Sequence, residues 1–371
     1  MVDFTNRKKP LVKAENLKNI FFLFLAAVAA NLAVYIAFSS DISVVCRYLD
    51  GPHYLEVAKT FYQAVTPANS AQLPEWYFSV HLIGMPFFIR MFLTFLPDCW
   101  AMLTTVTFFT ALSTVLFYLL LKEGGYVKSP FWLSLIFIFF PPRWYLYHAV
   151  AGSEPLFLTF VFASLLFYKK KNSFLAVLMA IGAALTRIFG LLIFPLLFFL
   201  YLKDKKLKPL FLSFLIPLSL LAHFSYYYFR FGDFFAYFRW NTRQIKAVPF
   251  FSQIILRITD DRTAAAEFFI LVSLLTLVGI FQLKKKFPEL FCYCLLLFLP
   301  IPFLIQVDFS RFFIPVFPFA WLVGFEKYFN SKIFKVLFIP LVIVSYFYLI
   351  QAVPTNLFPA KSFLELVNGV L

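Results

Sequence analysis

The chain has 371 residues, 62% of them hydrophobic and only 14% charged, with a formal net charge of +15. Soluble domains carry about 25% charged residues, so a soluble globular protein is excluded, and apolar runs near the ~18–20 residues that cross a bilayer recur throughout. The positive surplus lies in loops between these runs, which points to membrane orientation and anionic lipid rather than nucleic acid.

The amino-terminal stretch with Arg7, Lys8, Lys9, Lys13 and Lys18 precedes an apolar run to about Phe38. That run is too long for a cleaved signal and reads as a first membrane helix. Lysine clusters follow at 122 and 128, 169–171, 203–208, 284–286 and 327–335. The positive-inside rule assigns them all to one face, the cytoplasmic one. This predicts eleven spans, about 19–38, 99–121, 131–148, 155–168, 174–186, 188–202, 209–229, 264–283, 289–306, 312–326 and 334–351, in a single domain over 1–371. The pair 174–186 and 188–202 has arms of about 21 Å, short of the ~30 Å core. Residues 40–98 form a first outer loop, in which Tyr77 to Leu96, with Pro86, reads as a helix lying in the interface. Residues 230–262 form a basic outer loop.

Phe, with 56 copies, dominates the apolar filler, so close small-residue helix contacts are not expected to be the theme. Cys292 and Cys294 fall inside an apolar run and read as packing residues. Cys46 and Cys99 share the outer side, but nothing in the sequence requires them to pair.

Arginine sorts opposite to lysine. Arg47, Arg90, Arg143, Arg187, Arg230, Arg239, Arg243, Arg257, Arg262 and Arg311 fall on the outer side, where the only lysines are Lys59, Lys246 and Lys361. Guanidinium groups grip phosphate in bidentate fashion and tolerate burial better than ammonium, so the pattern implies an outer cavity for a phosphate-bearing ligand. For the 230–262 loop taken alone, contact with lipid headgroups explains the arginines equally well.

Four outer segments carry the candidate chemistry: Arg47-Tyr48-Leu49-Asp50-Gly51-Pro52-His53-Tyr54; Arg143 to Pro155, with His148, Ser153 and Glu154; Leu185-Thr186-Arg187 with Gly190; and Asp308-Phe309-Ser310-Arg311 with Pro315 and Pro318. Ionisable groups at membrane depth are costly and mark a cavity or a pair. Glu154 with Arg187 and Asp308 with Arg311 are the candidate structural pairs. Asp260-Asp261 reads as a helix cap near Thr263 rather than a metal site, and no metal or cofactor is required by the sequence.

The order of these segments resembles the PIG-V-like mannosyltransferases, a branch of the GT-C glycosyltransferases. Departures are Leu49 where the family has tryptophan, His81 to Pro86 in place of its Phe-Pro-Leu-Tyr-Pro pattern, and an altered Glu-Ser order at Ser153-Glu154. The resemblance implies a GT-C-like bundle of about 11 transmembrane helices and an inverting transfer of a sugar, mannose by family, from a polyprenyl- or dolichyl-phosphate donor on the non-cytoplasmic face. It implies Asp50 as general base and Arg187 and Arg311 as the phosphate-holding pair. Arg47, His53, Tyr54, Arg143, His148, Glu154 and Asp308 are the expected binding or orienting residues. The partners it implies are membrane lipids, the donor and an acceptor that is a glycolipid, a glycan or a protein, and it leaves divalent-cation use open. A prokaryotic plasma membrane is the expected location, with the endoplasmic reticulum as the alternative. The rival readings are a flippase or transporter of lipid-linked sugars and a catalytically inactive scaffold of the same fold.

Overall fold

The computed structural model describes residues 14–63, 75–242, 263–304 and 308–369. Arg7 and its neighbouring lysines, Arg243, Lys246, Arg257, Asp260, Asp261 and Arg262, and with them most of the 230–262 loop, lie outside the described residues.

The described residues are helical, with no strand and one isolated antiparallel bridge, Tyr48 to Leu357. Five helices are long and apolar enough to cross a membrane: Glu15–Ala37, Asp98–Glu123, Leu207–Phe231, Thr263–Leu283 and Lys332–Thr355. A sixth span results if Pro142–Ala149 and Glu154–Lys169, bent by 105° at their junction, count as one. Asp98–Glu123 is the most deeply buried of the five. The others leave rings and branched chains such as Phe21, Phe229, Leu274 and Ile339 exposed. Each such side chain left in water forgoes ~1.5–3 kcal/mol of burial, so these surfaces fit hydrocarbon rather than solvent.

Shorter apolar helices stand where the sequence predicted further spans: Pro130–Phe139, Ser173–Thr186, Ile188–Lys203 and Pro288–Phe303. Residues 312–326 depart from expectation. They form a 3-10 turn ending at Phe313, a π-helical stretch Pro318–Val323 and then turns, not a continuous helix. Pro315 and Pro318 explain the break, since each removes a backbone donor and its ring crowds the carbonyl four residues back, although Ile314 and Phe317 before them keep α-region angles. The predicted interfacial helix is likewise divided, into a 3-10 segment Glu75–Val80 and a helix Gly84–Leu93.

The two ends of the bundle differ in chemistry. At one end Lys122 reaches Asn16 at the start of the first helix, Lys169 pairs with Glu289, and the Lys128 amide donates to Glu326 at 2.5 Å. At the other end lie Asp50, Glu154, Arg187 and Arg311, joined by ion pairs. The Ser173–Thr186 helix leaves the lysine end and the chain returns there through Ile193–Lys203, so Arg187 rides at the tip of a hairpin whose first arm spans 14 residues. Gly190 makes that tip possible: a Cβ there would meet the Ala183 carbonyl carbon at 2.3 Å. Against the Phe-rich theme, one glycine contact is very close. Gly279 and Gly324 let two backbones cross, and a Cβ on Gly279 would meet the Ala320 oxygen at 2.0 Å.

Two long-range ties fix the loop that carries Asp50. Cys46 and Cys99 form a disulfide with Cα atoms 5.7 Å apart, a pairing the sequence left open. On the loop's other side the Phe358 amide donates to the Arg47 carbonyl at 2.8 Å and the Leu49 amide to the Asn356 carbonyl at 3.1 Å.

Candidate functional site

Asp50 sits at the N-cap of the helix Gly51–Thr60. The preceding turn is tight: Leu49 adopts a φ of 50°, and a Cβ on Gly51 would lie 2.6 Å from the Cys46 carbonyl oxygen and 3.0 Å from Ala151 Cβ. Glycine is therefore needed for the loop to press against the 151–154 junction. Pro52 in the first turn suits a helix start, where its missing donor costs nothing.

Glu154, 1% exposed, opens the Glu154–Lys169 helix and bridges two guanidinium groups. Its Oε1 accepts from Arg187 Nη1 at 2.6 Å and from Arg311 Nε. Arg311 Nη1 in turn donates to Asp50 Oδ2 at 2.8 Å. Arg187 Nη1 also donates to Ser153 Oγ at 3.1 Å, and the Tyr54 hydroxyl donates to the same oxygen at 3.0 Å. The Arg311 guanidinium lies over the Tyr147 ring, 4.7 Å from its centroid. Asp308 takes Arg143 through Nε at 3.0 Å and the hydroxyls of Tyr147 and Ser310. Three carboxylates thus meet three guanidiniums, and the cluster is close to neutral. A guanidinium carries five donors, and both of these Arg187 contacts run through Nη1, one corner of its fork.

These residues stand at one wall of a cavity of about 510 Å³, inside the ~300–1,000 Å³ range of ligand sites. Its lining includes the polar Asp50, Tyr54, Ser153, Arg187, Asp308 and Arg311 and the apolar Ile188, Leu191, Leu192, Leu304 and Phe312.

Burial alone would raise the Asp50 carboxyl, but the Arg311 charge beside it prevails and holds it down to about 2. His81 follows burial and is pushed down to about 3, with Asp50 opposing the shift. It is uncharged at neutral pH, which leaves Arg311 as the cation that governs Asp50. His53 is lowered by burial as well. Asp308 is held below the usual carboxylate range, burial pushing it up and Arg143 pulling it down further.

No protein-family model matches the chain, and no curated protein matches it either.

The site therefore stands on its geometry. Asp50, Tyr54, Glu154, Arg187, Asp308 and Arg311 come together, although the pairing differs from expectation at one point: Asp308 pairs with Arg143, and Arg311 instead turns to Asp50 and Glu154. His148 is a correction. It is fully buried outside the cavity lining, with Nδ1 2.8 Å from Asn31 Oδ1 and Nε2 2.7 Å from the Ile138 carbonyl, so it joins helices rather than facing a ligand. Arg47 is also spent on structure, donating to the Phe358 carbonyl at 3.3 Å and lying near Asp41. His53 packs on His81 at 5.3 Å and on Tyr77 at 5.3 Å, behind the lining residues.

The outer arginines divide by task. Arg90 donates to the Ala58 and Lys59 carbonyls at 2.9 Å, Arg230 to the Tyr62 carbonyl, and Arg239 pairs with Asp233 at 2.5 Å. With Arg47, these four hold the fold. Among the described arginines only Arg143, Arg187 and Arg311 belong to the cavity cluster. Sequence reasoning missed Tyr77, Tyr237 and Trp240, which line the same cavity. Among the described residues no group of three or more His, Cys, Asp or Glu is placed to hold a metal ion.

Proposed function

We propose that this chain is an integral-membrane glycosyltransferase of the PIG-V-like, GT-C type, moving a hexosyl unit, mannose by resemblance, from a polyprenyl- or dolichyl-phosphate donor. The observation that carries the reading is Asp50 held by Arg311 in a cavity whose lining combines these charges with apolar side chains. A lipid-phosphate sugar combines the same chemistries, an anion and hydroxyls at one end and hydrocarbon at the other.

In this reading Asp50 removes the proton from the acceptor hydroxyl as that oxygen attacks the anomeric carbon. The bond from that carbon to the phosphate oxygen breaks, and the lipid phosphate leaves with the electron pair. Base catalysis of this kind supplies ~10²–10⁴-fold. Arg187 and Arg311 hold the developing charge by preorganised donors in a partly dry site. A carboxylate held near 2 is a weak base, and the donor corrects this. Phosphate drawing on Arg311 loosens its grip on Asp50 and lets the carboxyl rise towards a useful value. Glu154 keeps the two arginines at one spacing whether or not donor is bound.

Two features support an outward-facing site. The lysines gather at the opposite end, as the positive-inside rule requires of a cytoplasmic face, and the Cys46–Cys99 disulfide lies beside Asp50, as an oxidising compartment allows. The eleven-span topology belongs to this reading too, with residues 312–326 crossing as a broken segment between Arg311 and Glu326.

The test is transfer from radiolabelled polyprenyl-phosphate-mannose to native membrane extract by purified protein in lipid, with wild type beside Asp50→Asn. Transfer lost in the variant with donor binding kept supports the reading. Transfer that survives moves the base elsewhere, and absence of donor binding revives a flippase or an inactive scaffold.

A further inference from the structure

The turn that delivers Asp50 lacks the two local devices that usually hold such a turn. Its left-handed position, with a φ of 50°, is filled by Leu49 rather than glycine, which costs a leucine about 5–30-fold in population. An aspartate at a helix N-cap ordinarily accepts from an amide of the first turn. Asp50 makes no such bond, and its Oδ2 takes Arg311 Nη1 at 2.8 Å instead. The carboxylate therefore has two possible partners, its own helix and Arg311, and something must decide between them.

What holds the turn comes from the far end of the sequence. The Leu49 amide donates to the Asn356 carbonyl at 3.1 Å and the Phe358 amide to the Arg47 carbonyl at 2.8 Å, on either side of the bridge between Tyr48 and Leu357. Pro359 favours the extended backbone that Phe358 needs for this pairing. The strap 356–358 is anchored at both ends. Before it, Val353–Thr355 packs on Ser43–Cys46. After it, the helix Ala360–Gly369 packs on Gly51–Thr60 with Phe363 and Leu366 buried, and Lys59 Nζ donates to the Val367 carbonyl at 3.2 Å.

We infer that residues 356–358 are positioning residues for Asp50: they hold Leu49 left-handed and so keep the carboxylate on Arg311 and off its own helix. The role in transfer rests on the glycosyltransferase reading, whereas the hold on the turn does not. A strap that only added stability would leave Leu49 indifferent to its loss. Here the strained residue and the strap's hydrogen bond meet at one amide.

The experiment compares Phe358→Ala with Phe358→Pro, each alone and with Leu49→Gly, in the full chain in nanodiscs. Both replacements lose the ring that meets His53 at 5.4 Å, but only proline loses the amide that binds Arg47. Hydrogen exchange without donor reads the hold on residues 47–54, and is expected about tenfold faster in the proline variant than in the alanine variant. Transfer from polyprenyl-phosphate-mannose is expected to show kcat about tenfold lower in the same comparison, with donor KM within about twofold. With Leu49→Gly the kcat gap should shrink to about twofold, since glycine adopts the left-handed turn unaided. The lost leucine side chain is common to both members of the pair and cancels. Phe363→Ala, which loosens the anchoring helix, gives the same readouts should melting show the proline variant unfolded. Equal exchange in the alanine and proline variants overturns the inference, as does faster exchange with kcat unmoved, or a gap that Leu49→Gly leaves undiminished. Faster exchange with no transfer by any of the proteins, wild type included, supports the hold on the turn and sinks the transferase reading alone.

Discussion

Arg311 Nη1 and Asp50 Oδ2 lie 2.8 Å apart across 261 residues of chain. The contact joins the first outer loop to the 3-10 turn after Asp308, and it makes the carboxylate's protonation depend on whatever else Arg311 touches.

Asp50→Asn keeps the shape of the side chain and leaves Arg311 bound to Glu154. Transfer is expected to fall by ~10²–10⁴-fold while donor affinity changes little. Single-turnover rates beside equilibrium donor binding check this, and a comparable loss in both would assign Asp50 to binding instead.

Glu154 is the buried joint of the network. In Glu154→Gln two guanidiniums lose their shared carboxylate and face each other as like charges. Breaking one side of a buried pair costs about 3–5 kcal/mol. Chemical denaturation in mixed micelles measures it, and a loss below about 1 kcal/mol would mean the pair behaves as a solvated one.

Acid sensitivity follows from the lowered histidines. The unfolded chain protonates His81 near 6.5, while the folded chain resists until about 3. Between those values the unfolded state binds more protons, so stability falls as pH falls. Asp50 adds a second loss below ~4, the unfolded value, continuing to its folded value of about 2. Melting temperature should thus be level above pH ~7 and decline through the 6.5–3 window. His81→Asn should flatten that decline, with the chain's other histidines carrying what remains and Asp50 and Arg311 still facing the site. An unchanged slope in the variant would remove His81 from the account.

The disulfide closes a separation of 53 residues around the Asp50 loop. Cys46→Ser is expected to cost about 2–4 kcal/mol and to reduce transfer more than donor binding. Thiol labelling of intact membranes should modify Cys46 and Cys99 only after reduction, and labelling without reductant would contradict the pairing.

Much of the helical plan was legible because long apolar runs bounded by lysine leave few alternatives. The spans at 99–121, 264–283 and 334–351 correspond closely to Asp98–Glu123, Thr263–Leu283 and Lys332–Ala352. Residues 312–326 were misread because hydropathy sees their apolar content and not the backbone cost of Pro315 and Pro318. At the site, Asp50, Arg187 and Arg311 could be singled out because each is an ionisable residue flanked by apolar sequence. Their partners were less legible. Spacing suggested Asp308 with Arg311, yet packing directs Arg311 to Asp50 and gives Asp308 to Arg143. His148 reads as a binding residue because it stands between Arg143 and Glu154 in sequence, and its contact with Asn31 lies 117 residues away. Tyr237 and Trp240 carried no signal, since one aromatic residue among many reveals its wall only when the helices are assembled.

The tie between Asn356, Phe358 and the backbone of residues 47–49 bears on biosynthesis. At about 5–20 residues per second, Asp50 leaves the ribosome roughly 13–50 s before Arg311, and Phe358 follows later still. During that interval the nascent loop carries an acid with neither its cation nor its backbone clamp. A chain whose translation ends before residue 356 would therefore lack the backbone clamp on residues 47–49 altogether.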